Sequence, residues 1–191
     1  MENPLDQFEA WFASARAESV PQAEAMALAT ADARGRPSVR MVLLKGWGPR
    51  GFEFFTNRQS RKGKELKVNP FAALTLYWQP QGRSVRAAGR VTIMSRLDSL
   101  AYWRSRPLAS QASAWASAQS SRLDSREHLV RRQAELVAGA GGGALPLSPL
   151  WGGYRLRPSW VEFWEHQDDR LHNRLLYTRR RGGWSIEELQ P

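Results

Sequence analysis

The chain has 191 residues, 42% of them hydrophobic and nine of them Trp, and its 28 Lys+Arg against 18 Asp+Glu give a net charge of +10. That length holds one domain with a substantial core, and the composition excludes an intrinsically disordered chain. The lack of Cys excludes disulfides, thiolate nucleophiles, Cys-ligated zinc and iron–sulfur clusters, and is compatible with a reducing cytoplasmic setting.

Asn3-Pro4 reads as a helix start, followed at helical spacing by Leu5, Phe8, Phe12 and Ala15. No basic region followed by an apolar stretch opens the chain, so no signal peptide is expected. Residues 25–31 and 38–44 read as strands joined by the turn 32–37. Gly46-Trp47-Gly48-Pro49-Arg50-Gly51 reads as a second turn, leading into a strand over 52–56. Ser60 caps a short helix over 61–68, stopped by Asn69-Pro70. Residues 71–78 and 84–93 form a further strand pair, and the apolar run 71–78 is far below the ~20 residues of a membrane helix. Ser95-Arg96-Leu97-Asp98 resembles a capping box for a helix to about Ser105, with a loop after Pro107. Residues 123–137 form an amphipathic helix, 139–149 a mobile Gly/Pro-rich connector, and 170–178 with 183–187 a closing hairpin. Antiparallel strands with short helices between them predict an α+β fold, a small β-barrel with peripheral helices. There is no regular βαβ alternation, GxGxxG or Walker loop.

The positive charge calls for an anionic partner: nucleic acid, acidic lipid or phosphorylated small molecules. Ser60-Arg61-Lys62-Gly63-Lys64 at a helix N-terminus, with Thr56 just upstream, makes one phosphate cradle. Tyr102 and Arg106 are i,i+4 neighbours and, with Ser110, suit a phosphate monoester. Gln119-Ser120-Ser121 offers further amide and hydroxyl groups. Arg40 and Lys45 bracket an apolar strand, and Lys45 either faces away from Arg40 or lies beyond the strand end. If residues 170–174 are a strand, Arg170, His172 and Arg174 share one face at ~7 Å intervals, one wall of a site for an anionic aromatic ligand. The bland alternative is a charged edge strand that resists aggregation. His128, His166 and His172 are too dispersed for an ordinary His-based metal site. Two phosphate-like constellations beside aromatic residues favour phosphorylated aromatic ligands over a polynucleotide. No helix-turn-helix, zinc-finger or RNP pattern is present.

Taken in order, these segments resemble the pyridoxine/pyridoxamine 5′-phosphate oxidases, FMN-dependent homodimeric split-barrel flavoproteins. The resemblance rests on Arg40-Met41-Val42-Leu43-Leu44-Lys45, Phe55-Thr56-Asn57, Ser60-Arg61-Lys62-Gly63, Ser105-Arg106-Pro107, Trp115 with Gln119-Ser120-Ser121, Trp151-Gly152-Gly153, Glu162-Phe163-Trp164 and Arg170-Leu171-His172 with Arg174. It implies one FMN-binding split-barrel domain over 1–191, with 150–191 forming a C-terminal segment for dimerisation and substrate contact. It implies that Arg40, Met41, Val42, Leu43, Leu44, Lys45, Phe55, Thr56, Arg61, Lys62, Ser84, Trp164 and Arg174 bind FMN, with Gln119 and Ser120 reaching it from the partner subunit. Lys45, Tyr102, Arg106 and Ser110 would hold the substrate phosphate. Arg170, Leu171 and His172 would sit at the substrate ring, with Arg170 and His172 as the catalytic pair. Hydride transfer from C4′ of pyridoxine or pyridoxamine 5′-phosphate to the flavin would give pyridoxal 5′-phosphate, and dioxygen would reoxidise the flavin to give hydrogen peroxide. The expected setting is a cytoplasmic homodimer with active sites at the subunit interface, engaging neither nucleic acid nor membrane.

Several positions differ from the family pattern: Ser84 stands where a flavin-contacting Gln is usual, Asn173 replaces Asp, Glu165-His166 replaces a Gln-Gly-like turn and Gln22-Ala23 an acidic-Pro pair. A basic N-terminal segment that covers the substrate in some relatives is expected to be missing. Two alternatives stand beside this reading. One is a split-barrel flavoenzyme acting on an unphosphorylated phenazine-type tricycle. The other is a non-catalytic flavin- or nucleic-acid-binding module.

Overall fold

A computed structural model describes residues 3–191. Helix α1 (Pro4–Ala17) starts as its sequence dictates: the Asn3 side chain accepts the Leu5 N–H at 3.1 Å, and Pro4 occupies the first turn, where no N–H is needed. Strands β1 (Ala25–Ala31), β2 (Pro37–Leu43), β3 (Gly46–Gly48) and β4 (Gly51–Asn57) follow, then α2 (Arg61–Val68), β5 (Phe71–Trp78) and β6 (Arg83–Ile93). Helices α3 (Arg96–Ser105), α4 (Leu108–Ala116) and α5 (Arg126–Gly139) precede the long strand β7 (Trp151–Glu165) and the hairpin β8 (Asn173–Arg180)–β9 (Gly183–Glu188).

All strand pairs among the described residues are antiparallel, in the order β2-β1-β5-β6-β7-β4-β3, with β8 on β7 and β9 on β8. One edge of β7 serves two strands: β4 pairs with residues 151–156 and β8 with 160–165. Lys45 donates its backbone N–H to Glu53 O at 2.9 Å just past β2, tying that edge to β4 and curling the sheet toward a barrel. A register shift at Ala88/Gly89 opposite Pro158 bends β6 on β7. A Cβ at Gly89 would lie 2.0 Å from Arg157 O, so only glycine permits that approach.

Alternation sorts the faces. Met26 and Leu28 of β1, Leu74, Leu76 and Trp78 of β5, Val85 and Ala87 of β6, and Val161 and Phe163 of β7 fill the interior. Helix α1 plugs one end: Phe8 packs edge-on against Phe52 and Phe12 against Trp47. The opposite sheet face carries Val39, Met41, Leu43, Phe71 and Tyr77, all exposed.

Four local expectations need correction. Gly46-Trp47-Gly48 is a short strand and not part of a turn, because it pairs with residues 51–53. Residues 108–116 are helical where a loop was expected, so Ser110 sits in the first turn of α4. The amphipathic segment begins at Arg126 and buries no residue fully, so its apolar stripe lies uncovered or half-covered. The connector before β7 is pinned: Trp103 and Trp115 donate their indole N–H groups to Leu145 O and Pro146 O, each at 2.7 Å. Among the described residues, no helix is long and apolar enough to cross a membrane.

Candidate active site

A cleft of about 420 Å³ opens where the β2 edge meets β4, α2, α3 and α4. It brings together Met41, Val42, Leu43, Lys45, Phe55, Thr56, Lys62, Tyr102, Arg106, Ser110 and Gln119. They come from six segments, namely β2 with its C-terminal end, β4, α2, α3 with its C-cap, α4 and the loop after α4, so the fold, and not local sequence, assembles them.

One wall is aromatic. Phe55 stacks on Tyr102 at 4.1 Å and on Trp151 at 5.2 Å between ring centroids. Arg106 lies over Trp151 at 4.7 Å and over Trp103 at 5.2 Å. Its Nη2 donates to Ser110 O at 2.8 Å, while its buried Nη1 has no partner among the described residues. Burial lowers the Arg106 pKa, and a buried unpaired guanidinium donor is costly unless a ligand completes it.

The other wall is a polar cradle at the α2 N-terminus. Ser60 Oγ accepts the Gly63 N–H at 3.3 Å. Thr56 Oγ1 and Lys62 Nζ both donate to Gln119 Oε1, at 3.0 and 3.1 Å. Lys62 is buried, and burial first, then the Arg40 charge, brings its pKa down to about 8. Among the described residues no Asp or Glu lines the cleft, although Lys45, Lys62 and Arg106 do. Three cations without a carboxylate fit a ligand that brings its own negative charge.

Other expected FMN contacts lie elsewhere. Leu44 is buried in the core. The Arg40 guanidinium turns to Leu28 O (2.9 Å), Thr30 Oγ1 (2.6 Å), Ser38 Oγ and Glu65. Arg61 Nε meets Glu65 Oε1 at 2.8 Å on an otherwise exposed side chain. Sequence reading missed Glu65, which is the hub of this network. Burial alone would raise its pKa, but hydrogen bonds from Ser38, Thr30 and Arg61, with the Arg40 charge, bring it down to about 2. Glu65 follows Arg61 by one helical turn, the only sequence signal available. Gln119 reaches Thr56 and Lys62 within its own chain, where the resemblance implied a contact from the partner subunit. Ser120, at φ 72°, lies in the exposed loop after α4, outside the cleft.

Ser84, Trp164 and Arg174 are successive cross-strand partners on β6, β7 and β8, lining a second depression with Tyr77, Arg86 and Glu162. Buried Glu162 pairs with Arg86 and, at 3.0 Å, with Arg174. Burial favours its neutral form, but the hydrogen bonds from Arg174 and Arg86 prevail and lower its pKa. Continuing the register, Leu43 of the cleft and Trp164 are four strand spacings apart, ~19 Å across one sheet face. The row expected at 170–174 is shorter than its sequence suggests. β8 begins at Asn173, and Arg170, at φ 67°, lies in the exposed turn after Asp168-Asp169. Leu171 is exposed as well, while His172 packs on Trp164 at 4.7 Å.

An antiparallel curled sheet with a cationic, aromatic-walled cleft defines a split-barrel protein built for an anionic ring compound. The pyridoxamine 5′-phosphate oxidase family profile matches residues 12–139, and the profile of the pyridoxine 5′-phosphate oxidase C-terminal dimerisation region matches residues 151–191. A pyridoxine/pyridoxamine 5′-phosphate oxidase of Paraburkholderia phytofirmans is 49% identical over 191 residues, covering 99% of this chain and 89% of its own. One of Bordetella petrii is 50% identical over 190 residues, covering 99% and 90%. Among solved structures, PhzG from Burkholderia lata 383, in complex with tetrahydrophenazine-1-carboxylic acid, is 37% identical with a TM-score of 0.96, covering 100% of this chain and 94% of its own. The chain belongs to the pyridoxamine 5′-phosphate oxidase family, whose members are FMN-binding oxidases.

Proposed function

We propose that the protein oxidises pyridoxine and pyridoxamine 5′-phosphates to pyridoxal 5′-phosphate, with dioxygen reduced to hydrogen peroxide. The observation that carries the substrate assignment is the buried Nη1 of Arg106, unpaired among the described residues and framed by Tyr102 and Ser110 in a cleft that none of their carboxylates lines. A phosphate monoester supplies the acceptor that this donor lacks. The FMN phosphate fits the Thr56–Lys62–Gln119 cradle at the α2 N-terminus, where the helix dipole adds to the Lys62 charge. Met41, Val42 and Leu43 offer an apolar edge for the flavin ring, and Lys45 a cation at the end of β2.

FMN held by Thr56, Lys62 and Gln119 would supply the two-electron acceptor for the hydride leaving the substrate C4′, with dioxygen as the final oxidant. The protein's part is to hold the two rings and their charges. Arg170 and His172 act on the substrate ring, Arg170 as a cation that orients it and stabilises developing charge. Arg174, its Nε held by Glu162, supplies positive charge near the flavin.

The two half-sites lie apart on one chain, and Met41 and Leu43 belong both to the cleft and to the exposed apolar sheet face. A homodimer through that face, with residues 151–191 contributing, places Ser84, Trp164 and Arg174 of one subunit against the other subunit's cleft. Residues 150–191 are then the segment that completes the partner's site.

A second reading follows from the PhzG likeness: an unphosphorylated tricyclic substrate in the same cleft. Arg106→Ala separates the two. It is expected to lower turnover of pyridoxamine 5′-phosphate about tenfold or more, since one charged hydrogen bond contributes ~1.5–3 kcal/mol. Oxidation of an unphosphorylated amine should stay as it is. Equal effects on both would count against the phosphate assignment.

A further inference from the structure

The ladder that carries Ser84, Trp164 and Arg174 continues one row further. Glu165 pairs with Asn173, so His166 and His172 come next on the face that bears Trp164. On the other side of His166, its backbone N–H donates to Gly82 O at 2.8 Å. The row therefore reads Gly82, His166, His172 beside Ser84, Trp164, Arg174.

The side chains agree with this placement. The imidazole centroids of His166 and His172 are 5.2 Å apart, and both rings lie against Trp164, at 6.1 and 4.7 Å. Gly82, at φ 60°, leaves the space that His166 uses: a Cβ there would come within 2.8 Å of the His166 Cβ. His166 Nε2 faces Asp168 Oδ1 at 3.5 Å, which limits rotation of its ring. The Gln167 backbone N–H donates to His172 Nδ1 at 3.1 Å. An Nδ1 that accepts this bond carries no proton, so neutral His172 has its hydrogen on Nε2.

We propose that His166 is a positioning residue for His172, packing its imidazole into a three-ring cluster so that Gln167 fixes the Nε2–H tautomer and His172 meets its ligand as a hydrogen-bond donor. The ligand, a pyridoxal 5′-phosphate-like ring oxygen or nitrogen, rests on the reading given under Proposed function; the ring cluster does not. His166 touches neither reacting atom and acts through His172, with Gly82 as the floor beneath it.

The test uses the FMN-loaded protein with His166→Ala, the ring-retaining His166→Phe, and Gly82→Ala. Imidazole nitrogen chemical shifts of His172, read without ligand on the neutral ring, report the tautomer. Pyridoxal 5′-phosphate binding is read by absorbance, and flavin retention by its visible band. The wild type should show a protonated Nε2 and a bare Nδ1. His166→Ala and Gly82→Ala should draw the two shifts together and weaken pyridoxal 5′-phosphate binding roughly fivefold to tenfold, the worth of a lost ring contact. His166→Phe should restore both, with flavin retained throughout. Unchanged His172 shifts in His166→Ala, or failure of His166→Phe to restore them, would overturn the proposal. A wild type that does not bind pyridoxal 5′-phosphate would sink the functional reading, while the shifts still decide the role of His166.

Discussion

Replacing Lys62 with Ala removes a cation that the cleft buries to 7% exposure and that donates to Gln119 Oε1. A charge-assisted hydrogen bond to a phosphate contributes ~1.5–3 kcal/mol, so FMN affinity should fall roughly 10- to 150-fold. The pH dependence sharpens this. Burial, then Arg40, brings the free Lys62 pKa down from its ordinary value to about 8. The group is therefore charged below about pH 8 and increasingly neutral above it. The phosphate is a dianion throughout, its second pKa being ~6. Binding must then reprotonate Lys62 at high pH, and one-proton linkage predicts FMN affinity about tenfold weaker at about pH 9 than at about pH 7. In Lys62→Ala that slope should vanish. Quenching of flavin fluorescence on titration into apoprotein measures both constants. A variant that binds FMN within about twofold of wild type, with the same pH slope, would refute the cradle.

Two further outcomes follow from the same geometry. Glu65→Ala leaves half-buried Arg40 beside Thr30 and Ser38 without its carboxylate, and should lower stability by ~1–3 kcal/mol in urea unfolding. The Glu65 pKa is depressed on folding to about 2, so its contribution is complete above the ordinary carboxylate range. It is lost as pH falls toward about 2, and acid unfolding of the variant should show less of that loss. Met41→Asp puts a charge on the exposed apolar sheet face and should yield monomers by light scattering, with poor flavin retention; an intact dimer would place the interface elsewhere.

The strands were legible because β1, β5 and β6 alternate buried with half-buried or exposed residues, one face of each filling the curled sheet. Helix α2 was legible from Ser60 and Asn69-Pro70 at its ends. Helix α4 was not, because Leu108 follows Pro107 with no capping side chain, and Ser110 and Ser113 read equally well as loop residues. The αL turn at Arg170 escaped detection because a period-two argument assumes the strand that Asp168-Asp169 delays. Of the site, the cleft residues could be placed by motif, but not the direction of a side chain. Arg40 turns to Glu65, a partner 25 positions away, and no spacing rule connects them. Ser84, Trp164 and Arg174 form one row only through strand pairing, which the sequence does not display.

The measurement that bears most directly on the account is the visible spectrum of the purified protein without oxygen, before and after pyridoxamine 5′-phosphate is added. The account predicts a flavin band that bleaches on addition and returns with air, with hydrogen peroxide formed. A flavin band that the phosphorylated amine leaves unchanged would contradict the substrate assignment, and a protein that takes up no FMN would contradict the site itself.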